Sequence, residues 1–219
     1  MNKIDLKKEN KTLYQSSSKK IAIVEVPHFH FIMIDGKGEP NSAGEFGEAI
    51  EALYPLSYSL KFLVKKGELR VDYGVMPLEA LWWAEDMSAF SGNRREEWLW
   101  TAMIRQPEFI TAEMYESELE VVRKKKNPVA LAKARFESFI EGKCAQVMHI
   151  GPFEKEASTV AAIHEFIDEQ GGTKTGKHHE IYLSDMRKAA PEKWRTIIRQ
   201  PFAYNYPSLP TKSSAIKCV

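Results

Sequence analysis

The sequence contains very little cysteine: Cys144 and Cys218 are the only two in 219 residues. Two cysteines so far apart are too few for a disulfide framework or for a metal site built from thiolates. We therefore expect both to be free thiols.

An excess of one charge and a long apolar run are also missing. Lys and Arg total 31 against 30 Asp and Glu, so the formal net charge is +1. Direct binding to nucleic acid is not expected, because it usually requires a basic excess or a basic stripe.

The apolar runs fall short of the roughly 20 residues of a membrane span, and the N-terminus has no signal-like apolar region. We expect a cytoplasmic monomer or weak dimer with no membrane partner.

The first half of the chain predicts the order strand, helix, strand, strand. Phe29–Asp35 forms the first strand of this unit, and the loop GKGEPN follows it. A helix capped by Asn41 or Ser42 carries apolar residues at helical spacing, and Pro55 predicts a kink or a break in it. The alternating segment LRVDYGVM and the segment Trp98–Arg105 predict the next two strands.

The second half predicts the same order after a helical linker. Residues 108–141 predict two helices, the first capped by Thr111 and the second beginning at Pro128. A helix then lies between the first and second of three further strands, which are Cys144–Ile150, His178–Ser184 and Trp194–Gln200.

A literal repeat supports this division. Trp100–Pro107 reads WTAMIRQP and Trp194–Pro201 reads WRTIIRQP, identical at Trp, Ile, Arg, Gln and Pro. The match occurs at the same place in two β-α-β-β units, and it predicts a duplication around a pseudo-two-fold axis. The alternative is that Arg-Gln-Pro marks only a strand exit, whose edge is covered by Arg105, Gln106, Arg199 and Gln200.

The predicted domain covers residues 21–202. It contains repeat one (about 28–107), the linker (108–141) and repeat two (about 142–202). Residues 1–20 predict a leader that is only partly ordered, and residues 203–219 predict a C-terminal tail.

Several long motifs resemble one family. MPLEALWWA, EEWLWTAMIRQPEFIT, MHIGPF, HHEIYLSD and PEKWRTIIRQP resemble the GyrI-like small-molecule-binding family. The resemblance implies an α+β fold in which duplicated β-α-β-β repeats form a curved antiparallel sheet. It also implies helices on the outer face and a ligand cleft between the halves. The sequence departs from the family pattern at Ala80, at Met186 and in the tail from Ala203.

The functions known in that family divide into several classes. Some relatives are drug-sensing effector domains of transcription regulators, and some counter gyrase poisons. A stand-alone branch hydrolyses cyclopropane-bearing, DNA-alkylating natural products, and this chain resembles that branch most. The resemblance implies a small-molecule ligand or toxin as partner. A protein-interaction module acting on gyrase receives little support from the even charge distribution, and no cofactor is expected.

Glu180 is the first candidate for catalysis. By two-residue periodicity it shares a strand face with Tyr182, and the resemblance implies that the Glu of EIYL projects into the pocket. A carboxylate on an apolar sheet face requires a partner, and a ligand, a water or a Tyr hydroxyl would supply one. The alternative is a salt bridge from Glu180 to His178, His179 or an arginine. Tyr182 and Tyr73 are predicted either to donate hydrogen bonds from the cleft wall or to be core residues.

Aromatic residues are the candidates for ligand stacking. Adjacent strand residues point to opposite faces, so Trp82 and Trp83 cannot both line the cleft. Trp98 is a further stacking candidate, whereas the match between Trp100 and Trp194 favours a structural role for both. The predicted ligand-binding set is Tyr73, Trp82, Trp83, Trp98, Trp100 and His149.

A metal site is not expected from the histidines. The set His149, His178, His179 and Glu180 contains no HxH or HExxH pattern, and adjacent strand residues diverge. His28 and His30 form the one H-x-H in the chain, which we interpret as a polar strand edge.

Two hypotheses remain from the sequence. In the first, the protein binds a flat, largely apolar molecule and hydrolyses a strained electrophile, with Glu180 as general base and a Tyr or Trp donor at the conjugated carbonyl. In the alternative, the same pocket only binds or sequesters the molecule, or senses it as an effector.

Overall fold

The computed structural model describes residues 2–40, 44–86, 88–92 and 94–205. Its strands are β1 (Asn2–Ile4), β2 (Ala22–Val26), β3 (Phe29–Lys37), β4 (Val71–Tyr73), β5 (Leu78–Trp83), β6 (Leu99–Gln106), β7 (Arg135–Phe139), β8 (Gly142–Ile150), β9 (Gly172–Lys174), β10 (His178–Tyr182) and β11 (Arg195–Tyr204). Its helices are α1 (Leu6–Glu9), α2 (Lys11–Tyr14), α3 (Glu45–Lys66), α4 (Ser88–Ser91), α5 (Ala112–Lys125) and α6 (Ala157–Glu169). Of the helices in these ranges, none combines the length and the apolar character needed to cross a membrane.

Within the described part of the chain, one antiparallel sheet of nine strands dominates the fold. Its path runs β2-β8-β11-β10-β5-β6-β3-β7, and β9 pairs with β11 outside this path. β1 and β4 form a separate parallel pair. The predicted α+β architecture, a curved antiparallel sheet with helices packed against it, is confirmed.

The two halves meet at the pairing of β5 with β10. One half has the order β3-α3-β5-β6 and the other has the order β8-α6-β10-β11. On either side of the β5–β10 pair the strands follow one another in mirrored order. This arrangement is the one that the predicted duplication requires, and the duplication itself stays an inference from the sequence.

Both long helices of these halves lie on one side of the sheet, which we call the helix face. α3 packs on β3 and β6, and α6 packs on β8 and β11. Leu53, Leu56 and Leu60 of α3 are fully buried, as are Ile163 and Ile167 of α6. Their helical spacing forms an apolar stripe on each helix, and burying each side chain contributes about 1.5–3 kcal/mol.

The N-terminal segment packs on the opposite face. Tyr14 donates a hydrogen bond of 3.0 Å from its hydroxyl to Glu79. Arg199 donates one of 2.9 Å to the backbone oxygen of Leu13. Residues 2–14 therefore form β1, α1 and α2 and contribute to the buried structure, although the sequence predicts only partial order for this leader.

The second strand of the first half was predicted in the wrong place. Of the segment LRVDYGVM only Val71–Tyr73 forms a strand, and it pairs with β1 outside the large sheet. The strand that enters the large sheet is β5, with the sequence LEALWW. β5 is central and buried on both faces, so its sequence is mostly apolar instead of alternating.

The second helix predicted in the linker is also wrong. The first helix agrees with prediction, since Thr111 caps α5 by accepting a hydrogen bond from the Met114 N–H. After it, Val129–Lys133 forms only a 3-10 turn, and β7 pairs with β3 at the edge of the sheet. Phe136 of β7 stacks on Tyr115 with 5.6 Å between ring centroids. Backbone pairing with β3 and this packing outweigh the local helical preference.

Pro55 does not break the helix that contains it. α3 runs without interruption from Glu45 to Lys66, and its predicted caps Asn41 and Ser42 lie outside the described residues. Proline removes one backbone hydrogen bond, and the apolar stripe of this long helix outweighs that loss.

The repeated Arg-Gln-Pro does not cover an edge. β6 lies between β5 and β3, and β11 lies between β10 and β8, so both strands are internal. The four side chains that were expected to cover an edge are all buried, namely Arg105, Gln106, Arg199 and Gln200.

Candidate functional site

Glu180 and Tyr182 lie on the helix face at the middle of the sheet. The register of β10 and β5 places Glu180 opposite Ala80 and His178 opposite Trp82. Directly opposed residues of an antiparallel pair point to the same side, so these side chains share one face. The indole N–H of Trp82 donates a hydrogen bond of 3.2 Å to the Tyr182 hydroxyl. The predicted sharing of one face by Glu180 and Tyr182 is thus observed.

Glu180 also has the ion-pair partner that was considered as its alternative. His178 Nε2 lies 3.3 Å from Glu180 Oε1, and the Glu180 side chain is 14% exposed. This contact therefore occurs at the rim of the site, where the carboxylate still reaches solvent.

Glu156 is the residue that the sequence analysis missed. It precedes α6, is 7% exposed, and lies near Glu180. Within the part of the chain that the structure describes, its Oε1 atom is buried without a hydrogen-bond partner. Burial, and then the negative charge of Glu180, raise the pKa of Glu156 to about 9. Glu156 therefore holds a proton at neutral pH.

Tyr182 is held in its neutral form. Burial raises the pKa of Tyr182 well above its usual value, and the neighbouring charge of Glu180 raises it further. Phe153 packs edge-on against Tyr182 with 5.8 Å between centroids and also contacts Trp194 at 5.1 Å. A neutral phenol beside these two carboxyl groups is able to donate a hydrogen bond to an oxygen that gains negative charge.

The tryptophans divide between the two faces of the sheet. Trp82 is 3% exposed and contacts Phe46 at 5.3 Å and Trp98 at 6.1 Å. Trp83 lies on the opposite face, where the Lys177 ammonium sits 3.1 Å from its ring centroid. Trp82 and Trp83 thus lie on opposite faces of the sheet, and Trp82 is the one beside Tyr182.

Trp100 and Trp98 have different surroundings. Trp100 is 1% exposed and packs edge-on against Phe46. A Cβ atom added to Gly36 would lie 2.1 Å from the Trp100 ring, so the ring occupies the space above that glycine. Trp98 is half-buried and stacks on Phe90 at 4.8 Å. Trp100 is thus a core residue, whereas Trp98 extends the aromatic wall outward from Trp82.

The remaining two predicted ligand-binding residues are not brought to Glu180. Tyr73 lies in β4, outside the large sheet, and packs against Phe109. His149 lies on the helix face, but its ring nitrogens contact Thr159 Oγ1 at 2.9 Å and the Pro152 carbonyl at 3.3 Å. His149 therefore fixes the loop that carries Phe153.

A network of buried charges lies on the other side of the sheet. His179 contacts Glu79 and Glu141, each at 3.0 Å, and Arg199 also contacts Glu141 at 3.0 Å. Burial opposes a positive charge on His179, but the two carboxylates outweigh it and raise the pKa to about 9. His178 and His179 consequently point to opposite faces of the sheet. The four residues that were considered for a metal site, namely His149, His178, His179 and Glu180, therefore do not converge on one point.

A cavity of about 360 Å³ also opens on this opposite face, lined in part by Leu81, Thr101, Arg135 and Glu141. Glu141 and Arg135 are both engaged in ion pairs. We assign the candidate site to the Glu156–Glu180–Tyr182 cluster instead, because it contains the buried carboxyl oxygen that has no partner.

Comparisons with known proteins show what this chain is similar to. A model of the GyrI-like small molecule binding domain matches residues 19–202. An uncharacterized conserved protein from Listeria innocua is 45% identical, with a TM-score of 0.83 over 91% of this chain and 100% of that chain. A hydrolase from Listeria innocua is 43% identical, with a TM-score of 0.79 over 91% of this chain and 100% of that chain. The C-terminal domain of EcmrR shares the fold at 14% identity and a TM-score of 0.54, over 85% of this chain and 98% of that domain. Comparison with curated proteins gives no match.

Proposed function

This chain belongs to the GyrI-like small-molecule-binding domain family, and we propose that it binds a flat, largely apolar molecule beside β10 and hydrolyses it. The substrate class is a strained electrophile, a cyclopropane conjugated to a carbonyl. The observation that carries the proposal is the pair of carboxyl groups beside Tyr182, in which Glu156 holds a proton and Glu180 is paired with His178. The 43% identity to a hydrolase from Listeria innocua supports the reaction class.

The division of roles follows from the environment of each carboxyl group. Glu180 is the base, because its side chain is partly exposed and its carboxyl oxygen lies 3.3 Å from His178 Nε2. Glu156 is the acid, because burial and the charge of Glu180 keep its proton in place. Two neighbouring carboxyl groups whose environments separate their protonation states form a general acid and base pair.

The proposed reaction adds one water molecule across the ring. Glu180 takes a proton from water, and the water oxygen forms a bond to the strained ring carbon. The ring C–C bond breaks, and its electron pair moves into the conjugated carbonyl. Tyr182 donates a hydrogen bond to that carbonyl oxygen, and Glu156 transfers a proton to the same oxygen. Transfer of the proton from Glu180 back to Glu156 restores the site.

The aromatic wall supplies binding. Trp82 and Phe153 contact Tyr182, and Trp98 packs against Trp82, so flat apolar surface adjoins the carboxyl pair. Such surface suits a planar guest, and exclusion of water strengthens the polar contacts inside the site. The proposed reaction requires no cofactor and no nucleic acid, and we place it in the cytoplasm, with the protein acting as a monomer or weak dimer.

The alternative function is binding without turnover. A match to a small-molecule-binding domain supports sequestration or effector sensing as well as hydrolysis. The aromatic wall is common to both functions, and only the use made of the two carboxyl groups differs.

Multiple turnover distinguishes the two functions. Purified protein is mixed with a large molar excess of a spirocyclopropyl dienone alkylator, and the product is followed by mass spectrometry. The proposal predicts that the whole excess gains one water molecule and loses its cyclopropane. Protection of only one equivalent would support sequestration, and a substrate that is neither bound nor altered would contradict both functions.

A further inference from the structure

Two histidines and a glutamate meet where β3 begins and β6 ends. His30 pairs with Gln106 in the β3–β6 register. Continuing this antiparallel register by two residues brings His28 opposite Glu108. Because side chains alternate between the faces of a sheet, His28, His30 and Glu108 point to the same side.

The distances bring their ligand atoms together. One imidazole nitrogen of each histidine and a carboxylate oxygen of Glu108 all lie within 4.8 Å of one another. His30 Nδ1 is 3.5 Å from Glu108 Oε2, and the His28 and His30 rings are 5.0 Å apart. The His30 ring also packs on Phe136 at 5.4 Å, which fixes its position.

His30 Nδ1 has the environment of a ligand atom that requires a partner. It is buried, and no hydrogen-bond partner for it occurs among the described residues. A buried polar atom without a partner is unfavourable, and a cation at this point would satisfy it.

We propose that His28, His30 and Glu108 form a binding site for a divalent cation of the zinc type. Two imidazoles and one carboxylate favour zinc, nickel or copper over magnesium and calcium, which prefer oxygen ligands. Zinc lies about 2.0–2.1 Å from such ligands, so the three atoms have to approach one another by about 1 Å. His28 and Glu108 are exposed, so theirs are the side chains that would move. Three protein ligands leave a fourth position open to water.

The site is independent of the proposed hydrolysis. β5 and part of β6 separate it from β10 in the sheet, and its ligands are not part of the Glu156–Glu180–Tyr182 cluster. A bound cation would tie the first residues of β3 to the segment that leaves β6, and we expect it to stabilise that edge.

The test is titration of the metal-free protein, with any purification tag removed, by zinc and by magnesium in a calorimeter. The expected result is saturable binding of one zinc ion and no comparable binding of magnesium. H28A, H30A and E108Q should each weaken zinc binding by at least about tenfold, since losing even an outer partner of a metal ligand typically has that effect. H164A removes a histidine outside the cluster and serves as the matched control.

Two outcomes would overturn the proposal. One is the absence of saturable zinc binding, and the other is binding that persists unchanged in both H28A and H30A. Thermal unfolding of each variant without metal verifies that it folds. His28 and Glu108 are exposed, so at least H28A and E108Q should unfold at the temperature of the unsubstituted protein. At the same zinc concentration, zinc should then raise the unfolding temperature of the parent and of H164A more than that of H28A.

Discussion

Replacing Glu156 by glutamine should stabilise the protein, and more so as the pH rises. The pKa of Glu156 is raised from 4.5 to about 9 in the folded protein. A raised pKa means that the folded state favours the proton, so the contribution to stability is fully present below 4.5 and is lost as the pH rises through about 9. Glutamine keeps the shape of the side chain and has no proton to lose.

The size of the effect follows from linkage. One pH unit between the unfolded and folded pKa corresponds to about 1.4 kcal/mol. At pH 7 the unfolded chain gains about 3 kcal/mol by ionising this carboxyl while the folded chain does not. Glu156→Gln should remove that difference. The free energy of unfolding should hardly change near pH 4.5, and it should increase by about 6 kcal/mol near pH 9.

Urea denaturation at several pH values measures the effect. The difference in unfolding free energy between Glu156→Gln and the parent is compared with that between Glu154→Gln and the parent. Glu154 is exposed two residues earlier in the same loop and serves as the control. A Glu156→Gln difference that grows with pH no more than the Glu154→Gln difference does would refute the assignment of a buried, protonated Glu156.

Two further substitutions test the packing and the buried charges. Gly36→Ala places a Cβ atom 2.1 Å from the Trp100 ring and should destabilise the protein by about 1–3 kcal/mol in urea denaturation. Gly74→Ala, which meets no atom within 4 Å, is its control, and equal stability of the two variants would contradict the close approach. Arg199→Met removes the cation that contacts a buried carboxylate and should lower stability by about 3–5 kcal/mol in thermal unfolding. Arg195→Met, exposed on the same strand, should have little effect, and similar losses in both would count against the network.

The parts of the fold that follow from local pattern were predictable. Two-residue alternation is sufficient to place Glu180 and Tyr182 on one face and to separate Trp82 from Trp83. The hydroxyl of Thr111 is suited to capping a helix, and α5 begins directly after it. These predictions depend only on neighbours in the chain.

The errors arose where sheet pairing decides the outcome. β5 reads as an apolar run because both of its faces are buried, so a rule based on alternation selects Leu69–Met76 in its place. The segment that forms β7 was predicted as part of a helix. It instead forms backbone hydrogen bonds with β3 at the edge of the sheet. The Arg-Gln-Pro repeats resemble strand exits, although β6 and β11 are internal. Local sequence carries no information on which strand becomes a neighbour.

Glu156 shows why part of the site was beyond prediction. It stands in a turn between β8 and α6, where neither helical nor strand periodicity assigns it a direction. Its nearness to Glu180 comes from packing α6 on the sheet, across 24 residues of chain. Its raised pKa is a consequence of that packing and of burial, and neither is encoded in the local pattern. The same holds for Glu108 and His30, which approach one another only through strand register.

The central claim is that Glu180 is the base of a hydrolytic site on the helix face. The most direct test compares the multiple-turnover rates of Glu180→Gln and Glu154→Gln on the spirocyclopropyl dienone. A general base typically contributes a factor of about 100 to 10,000, so Glu180→Gln should lose at least about 100-fold while Glu154→Gln keeps the parent rate. Full turnover by Glu180→Gln would contradict the account.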